Sequence, residues 1–292
     1  MTTATPLSAG NARVKAARRL SRRSERSVRR LFLADGPKAV AGALSVQGCV
    51  VEVFATPAAT EQYADLATAA PAWTLVDDRA LAGLSDSVTP AGVVAVCRFL
   101  DVPLSTVVEV RGFQTPRPSA PQPTSPRASK PPLLIAICAD VRDPGNAGTV
   151  IRTADAAGAD GVVLAGSSVD PYNPKTVRAS VGSLFHVPIA IEPDPAAAVR
   201  AARAEGLVVL AADGAGEVEL FDADDFLGRP TAWLFGNEAR GLPDNLAALA
   251  DHRVRIPIHG QAESLNLSTA AALCLYASAR AQRTRGGPAG AD

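Results

Sequence analysis

From residue 133 onward, short apolar runs alternate with helical patterns: "LLIAICA", "TVIRTADAAGA", "GVVLAG", "PKTVRASVGSLF", "VPIAI", "PAAAVRAARAEG", "LVVLAA", "TAWLFG", "NLAALA", "VRIPI" and "SLNLSTAAALCLYASARAQR". Strands that are apolar throughout and alternate with helices predict an α/β domain with a parallel sheet covered on both faces. The N-terminal part predicts a smaller α/β domain. "LFLADGPKAVAGAL" reads as a strand, turn and helix, followed by the runs "VVEVFA" and "WTLV", the helical "AATEQYADLATAA" and a last strand "GVVAVCRFL". Between the two lies "TPRPSAPQPTSPRASKPP", residues 115–132, which has too few large apolar residues to offset its ordering entropy and reads as an extended linker. The expected division is therefore a domain at 1–105, a linker at 106–132, a second domain at 133–285 and a tail at 286–292.

Composition narrows the picture. A chain of 292 residues with 47% hydrophobic and 4% aromatic residues must build its cores largely from Ala, Val and Leu. Zero formal net charge excludes a uniformly basic body that coats nucleic acid. The charge is uneven, however: "RVKAARRLSRRSERSVRR", residues 13–30, contains a single acid, Glu25. Such a run can neutralise phosphates or simply form a solvated helix face. An Arg-rich start also resembles a transit peptide, but the strand that follows at once argues against its removal. No apolar run reaches the roughly 18 residues of a membrane span, so no membrane partner is expected. Cys49, Cys97, Cys138 and Cys274 each lie in apolar stretches, as buried thiols of a reducing compartment do, which points to the cytoplasm. His186, His252 and His259 have no metal-ligand spacing, so no metal site is expected.

Ligands of open α/β sheets bind at the C-terminal ends of the strands, which directs attention to three loops. They are "DVRDPGNAGTVIR" (140–152), "LFGNEARGLP" (234–243) and "IPIHGQAESLNLS" (256–268). Each admits a structural explanation. Asn146 could cap the next helix, Asn237 and Glu238 could begin another, and Ser264, Asn266 or Ser268 could cap the last. Capping leaves Arg152 unexplained. Val150, Ile151, Ala154 and Ala157 recur at helical spacing and can face the sheet, while Arg152 turns towards the mouth of a site.

Taken in order, the three loops, with "DPYNPKTVRASVGSLFHVP" between the first two, resemble the SpoU class of the SPOUT superfamily, whose members are S-adenosylmethionine-dependent RNA 2′-O-ribose methyltransferases. The resemblance covers about 131–285. Residues "RRLFLADGPKAVAGAL" and "LSDSVTPAGVVAVC" are similar to the small ribosomal-protein-like substrate-binding domain that many members carry. Ala147, where a larger aliphatic residue is common, and the long Pro-rich linker depart from the family pattern.

The resemblance implies a deep C-terminal trefoil knot, a homodimer formed through the knotted domain, and S-adenosylmethionine as cofactor. By motif position, Gly236, Ile256 and Leu265 fall to the cofactor, and Arg152, Asn146, Glu238, Ser264 and Asn266 to catalysis. Arg178, Arg22, Arg23, Arg29 and Arg30 become candidate RNA contacts, with a surface salt bridge as the alternative for Arg178. Arg152 is the family's group for activating the hydroxyl, yet a guanidinium gives up its proton only in strong base. The easier version keeps it charged on the RNA phosphate, with that phosphate or a water taking the proton. An N-terminal substrate-binding domain favours rRNA over tRNA as the partner. The alternatives are a tRNA 2′-O-methyltransferase or a non-catalytic RNA-binding or ribosome-assembly factor. A dinucleotide-binding dehydrogenase is disfavoured, since "ADGAGEVEL" offers only Gly214 and Gly216 after a late strand.

Overall fold

The computed structural model describes residues 5–109 and 133–285. These form two compact units. One comprises the described residues up to Leu100 together with Asp170–His186, and the other those from Asp101 to Val169 and from Val187 onward.

In the first unit, strands β1 (Leu31–Asp35), β2 (Val50–Ala55), β3 (Trp73–Leu75) and β4 (Val93–Arg98) form a sheet in the order β1-β4-β2-β3. Strand β4 runs antiparallel to both β1 and β2, and β3 is parallel to β2. Side chains alternate between the two faces of a strand, and β1 is buried on both. Leu33 joins Val14, Ala17, Leu20, Phe54 and Val94 in one core. Phe32 enters an aromatic cluster with Phe99, Tyr172 and Phe185, in which the Phe99 and Tyr172 rings stack at 3.9 Å. The Tyr172 hydroxyl also accepts the Leu100 amide at 2.6 Å.

Within the basic run, Arg26 is 2% exposed. Its Nε and Nη2 donate to Asp170 Oδ2 at 2.9 and 2.6 Å, and Nη1 donates to the Leu20 and Ser21 carbonyls. The segment Asp170–His186, expected in the second domain, is thus held in the first by an ion pair and an aromatic cluster. Its helix, Pro174–Ser180, stops where Val181 and Gly182 take positive φ values of 52° and 95°.

The second unit is a sheet of β5 (Leu134–Ala139), β6 (Gly161–Ala165), β7 (Ile189–Glu192), β8 (Val208–Ala212), β9 (Val218–Glu219), β10 (Thr231–Phe235) and β11 (His252–Arg255). Their order is β7-β6-β5-β10-β8-β11-β9, and every pairing is parallel. All residues of β5, β6 and β10 are buried, which explains their unbroken apolar runs. One face packs Ile135, Ile137, Val163 and Leu234 against Ala198, Val199 and Ala202 of the helix Pro195–Ala204. Against the other lie the Arg152 helix, Pro144–Ala157, and the C-terminal helix, Leu267–Arg285, which also pack on each other. Trp233 Nε1 donates to Ser278 Oγ across that layer at 2.9 Å.

The expected linker begins later than residue 106. Leu104–Val108 is helical, and Val107 and Val108 are buried in the second unit's core. Five residues are too short a stretch to display helical periodicity. Gly161 makes room for them, since a Cβ there would meet Val107 Cγ1 at 2.6 Å. Residues 110–132 and the tail at 286–292 lie outside the described residues. All four cysteines are buried and free, and burial pushes the Cys138 thiol up to about 12. Among the described residues no helix is long and apolar enough to cross a membrane.

Candidate active site

The second unit's loops after β5, β10 and β11 share one edge, because these parallel strands all end on the same side. The Arg152 helix starts there with Asp143 as its cap. Asp143 Oδ1 accepts the Asn146 amide at 2.8 Å, and Pro144 occupies the first helical position. Asn146 is therefore inside the helix and is not its cap, contrary to the expectation from sequence. That frees its side chain. Asn146 Nδ2 donates to Glu238 Oε1 at 3.3 Å, and its Oδ1 accepts from Asn266 Nδ2 at 3.1 Å. Asn266 does cap the last helix, its Oδ1 accepting the Ser268 and Thr269 amides. A continuous chain, Glu238–Asn146–Asn266, thus joins all three loops.

Glu238 is the hub. Besides Asn146, its carboxylate accepts the Arg142 amide at 3.2 Å and the Asp143 amide at 3.1 Å. Partial burial works against its charged form, but hydrogen bonds from its own amide, Asp143, Arg142 and Asn146 outweigh that. Its pKa therefore lies below the ordinary carboxylate value.

Asn237 and Glu238 begin no helix. Asn237 and Gly241 exchange two backbone hydrogen bonds at 3.0 and 2.8 Å, which closes a tight loop after β10. Gly236 is required by that closure: a Cβ would sit 2.4 Å from Gly241 C and 2.6 Å from Leu242 N. The close approach that glycine permits here is thus to its own loop. Asn237 Nδ2 also donates to the Asp140 carbonyl at 2.8 Å. Asp140 itself has φ of 56°, and its Oδ1 accepts the Ser167 amide. Asp140, Asp143 and Asn237 were missed as positioning residues. Only Asp143 carried a clear signal, the Asp-Pro pair of a helix start.

Arg152 is exposed, and its guanidinium forms no hydrogen bond or ion pair with the described residues. Val150, Ile151, Ala154 and Ala157 are buried beneath it, as their spacing implied. Six residues separate Arg152 from Asn146, about 9 Å along the axis and on another side of the helix, so the two are not bonded. Ser264 is exposed and outside the hydrogen-bonded chain. Ile256 is half-buried directly after β11, and Leu265 is 36% exposed. Among the described residues, no hydrogen bond engages the main chain of 256–265. Those free amides and carbonyls, with the apolar Ile256 and Leu265, suit a ligand that has both polar edges and apolar faces. Gly236 and Ile256 follow strands two positions apart, about 10 Å, a span one such ligand can bridge.

In the first unit, Arg22 and Arg23 are exposed with no partner among the described residues. Arg29 pairs with Glu25 at 3.2 Å and Arg30 lies over Phe99 at 4.6 Å. Arg178 pairs with Asp86 at 3.3 Å, the surface salt bridge weighed as its alternative.

Comparison with known proteins gives these loops a context. Residues 133–276 match the SpoU rRNA Methylase family, and residues 11–95 match the MRM3-like substrate binding domain. The chain is 34% identical over 272 residues, 92% of its length and 96% of the relative's, to the 23S rRNA (guanosine(2553)-2′-O)-methyltransferase RlmP of Bacillus subtilis (strain 168). An AdoMet-bound rRNA methyltransferase from Sinorhizobium meliloti superposes with a TM-score of 0.74 at 32% identity, covering 92% of this chain and 95% of that one. The SpoU methyltransferase AviRb from Streptomyces viridochromogenes, in complex with AdoMet, gives 0.77 at 30% identity, covering 94% and 98%. Fold, motif loops and near full-length similarity agree, and the chain belongs to the SpoU rRNA methylase family.

Proposed function

We propose that this protein transfers a methyl group from S-adenosylmethionine to a ribose 2′-hydroxyl of ribosomal RNA. The observation that carries this reading is the Glu238–Asn146–Asn266 chain, which ties three strand-end loops into one preorganised edge. Relatives named as 23S rRNA 2′-O-methyltransferases favour the large subunit as the source of the RNA.

S-adenosylmethionine, when bound, supplies an electrophilic methyl on its sulfonium. Gly236, Ile256 and Leu265 would hold it, with the free main chain of 256–265 as donors and acceptors. Glu238 orders the loop by staying ionised, and Asn146 and Asn266 fix that loop to two helix N-termini. Ser264, exposed at the same edge, would bind substrate. Arg152 remains charged and grips the RNA phosphate, and that phosphate or a water accepts the 2′-hydroxyl proton. Positioning of this kind contributes about 7–11 kcal/mol to such reactions.

We read the protein as a cytoplasmic homodimer with a trefoil knot at its C-terminal end. Exposed Leu273 and Tyr276, one turn apart on the C-terminal helix, support the dimer, and that helix packs on the Arg152 helix. The first unit, where Arg22 and Arg23 are exposed and without a partner among the described residues, would hold part of the RNA. The decisive experiment maps ribose methylation across rRNA and tRNA in cells with and without the gene. Loss at one rRNA position is expected. Loss confined to tRNA would overturn rRNA as the substrate, and no loss anywhere would favour a non-catalytic RNA-binding factor.

A further inference from the structure

Among the described residues of the second unit, five arginines are neutralised by carboxylates. Arg200 pairs with Asp194, Arg203 with Asp251, Arg253 with Asp213, Arg255 with Glu219 and Arg280 with Asp224, and Arg283 donates to the Ala157 carbonyl. Among the unit's described side chains, only the guanidinium groups of Arg142, Arg152, Arg229 and Arg240 have no hydrogen-bond or ion-pair partner. Their placement is not scattered. Arg229 precedes β10 at the far edge of the sheet, but the other three lie on the loops and helix that build the candidate site.

Arg142 and Arg240 share a further feature. Arg142 follows β5 and its amide donates to Glu238, while Arg240 follows β10 and its amide donates to Asn237 Oδ1 at 3.2 Å. Both backbones are therefore pinned to one loop cluster while both side chains are exposed. The carboxylates nearest in sequence are already engaged: Glu238 by the Arg142 and Asp143 amides and Asn146, and Asp143 by the Asn146 amide. The loop thus uses its acids to order its own backbone and leaves two fork-shaped cations uncompensated. An arginine fork matches a phosphate with two parallel hydrogen bonds.

We propose that Arg142 and Arg240 bind RNA backbone phosphates on either side of the target nucleotide and so position it at the site. This rests on the methyltransferase reading above. The two residues are positioning groups for the RNA and take no part in proton removal or cofactor binding.

The test uses the full chain, an in-vitro transcript of 23S rRNA and S-adenosylmethionine. Arg142→Ala, Arg240→Ala and the control Arg229→Ala are compared with the unaltered protein. Each of the first two should weaken RNA binding and lower the slope of log affinity against log salt by about 0.7–0.9, the loss of one phosphate contact. KM for RNA should rise with kcat little changed, and S-adenosylmethionine affinity by calorimetry should stay the same. Arg229→Ala should match the unaltered protein throughout. An unchanged salt slope in both site variants would overturn the proposal while leaving the methyltransferase reading intact. So would a parallel loss of cofactor affinity, which would mean that the residues act through loop structure. If the unaltered protein neither binds nor methylates the transcript, the underlying reading fails first and this proposal falls with it.

Discussion

Glu238 sits where three hydrogen-bond donors from the first motif converge, and that convergence decides its charge. Its pKa is depressed in the folded protein, so its contribution to stability is complete above the ordinary carboxylate value and is lost as pH falls through the lowered one. Glu238→Gln keeps the size but replaces one acceptor oxygen with an amide that repels N–H donors. At neutral pH the replacement should cost about 1 kcal/mol, a figure kept small by solvent exposure. Urea unfolding from neutral to acid pH should show that gap closing below the ordinary carboxylate range; a gap independent of pH would refute the role of the charge. Arg152 should behave oppositely. Arg152→Ala removes a group that no described residue contacts, so stability should hold while methyl transfer falls by about 10²–10⁴-fold. Arg152→Lys should recover little, because a lysine cannot form the two-pronged phosphate contact. A fully active lysine variant in a methyl-transfer assay would remove the case for a fork. The exposure of Arg152 was legible from the spacing of its buried neighbours. The role of Asn146 was less so, because Asn caps helices well and only the preceding Asp-Pro pair distinguishes the two candidates.

At the level of elements, the parallel sheet was readable because strands buried on both faces have no polar positions to interrupt them. The loop after β10 admits a helix start from its sequence. Its sequence has the right residues for a cap, but the Asn237–Gly241 bridge closes it first, and Gly236 allows that closure. Long-range docking was equally invisible. Helical periodicity tells that Pro174–Ser180 has an apolar face, not which core receives it. Nor can composition single out Arg26 among the arginines around it. Yet Arg26 donates four hydrogen bonds, two to Asp170 and two to carbonyls at the end of the preceding turn. Removing one partner of a buried pair leaves the other charge uncompensated, so Arg26→Ala should destabilise the protein by about 3–5 kcal/mol. Equilibrium denaturation should register this as a lower midpoint. Arg23→Ala, three residues away and exposed, should leave the midpoint unchanged.

For the whole molecule, the consequence of these contacts is that chain order and structural unit do not coincide. The family match runs unbroken over 133–276, but Asp170–His186 folds with residues up to Leu100. That segment buries Tyr172, Val177, Leu184 and Phe185, and its helix rests on β1. Each such side chain contributes about 1.5–3 kcal/mol when fully removed from water. A chain spanning only 101–292 would keep the partners of β5, β6 and β10 but lose the rings of Phe32 and Phe99 and the Arg26 guanidinium. Two outcomes can therefore be separated within one fragment. Hydrogen exchange should find the amides of 170–186 unprotected, while the central strands exchange slowly, because local stability follows local burial. Slow exchange throughout 170–186 would mean that the segment holds itself together and that its contacts with the N-terminal strands are incidental. Fast exchange confined to it would show that the catalytic unit is built with a piece of its sequence on loan to the substrate-binding one.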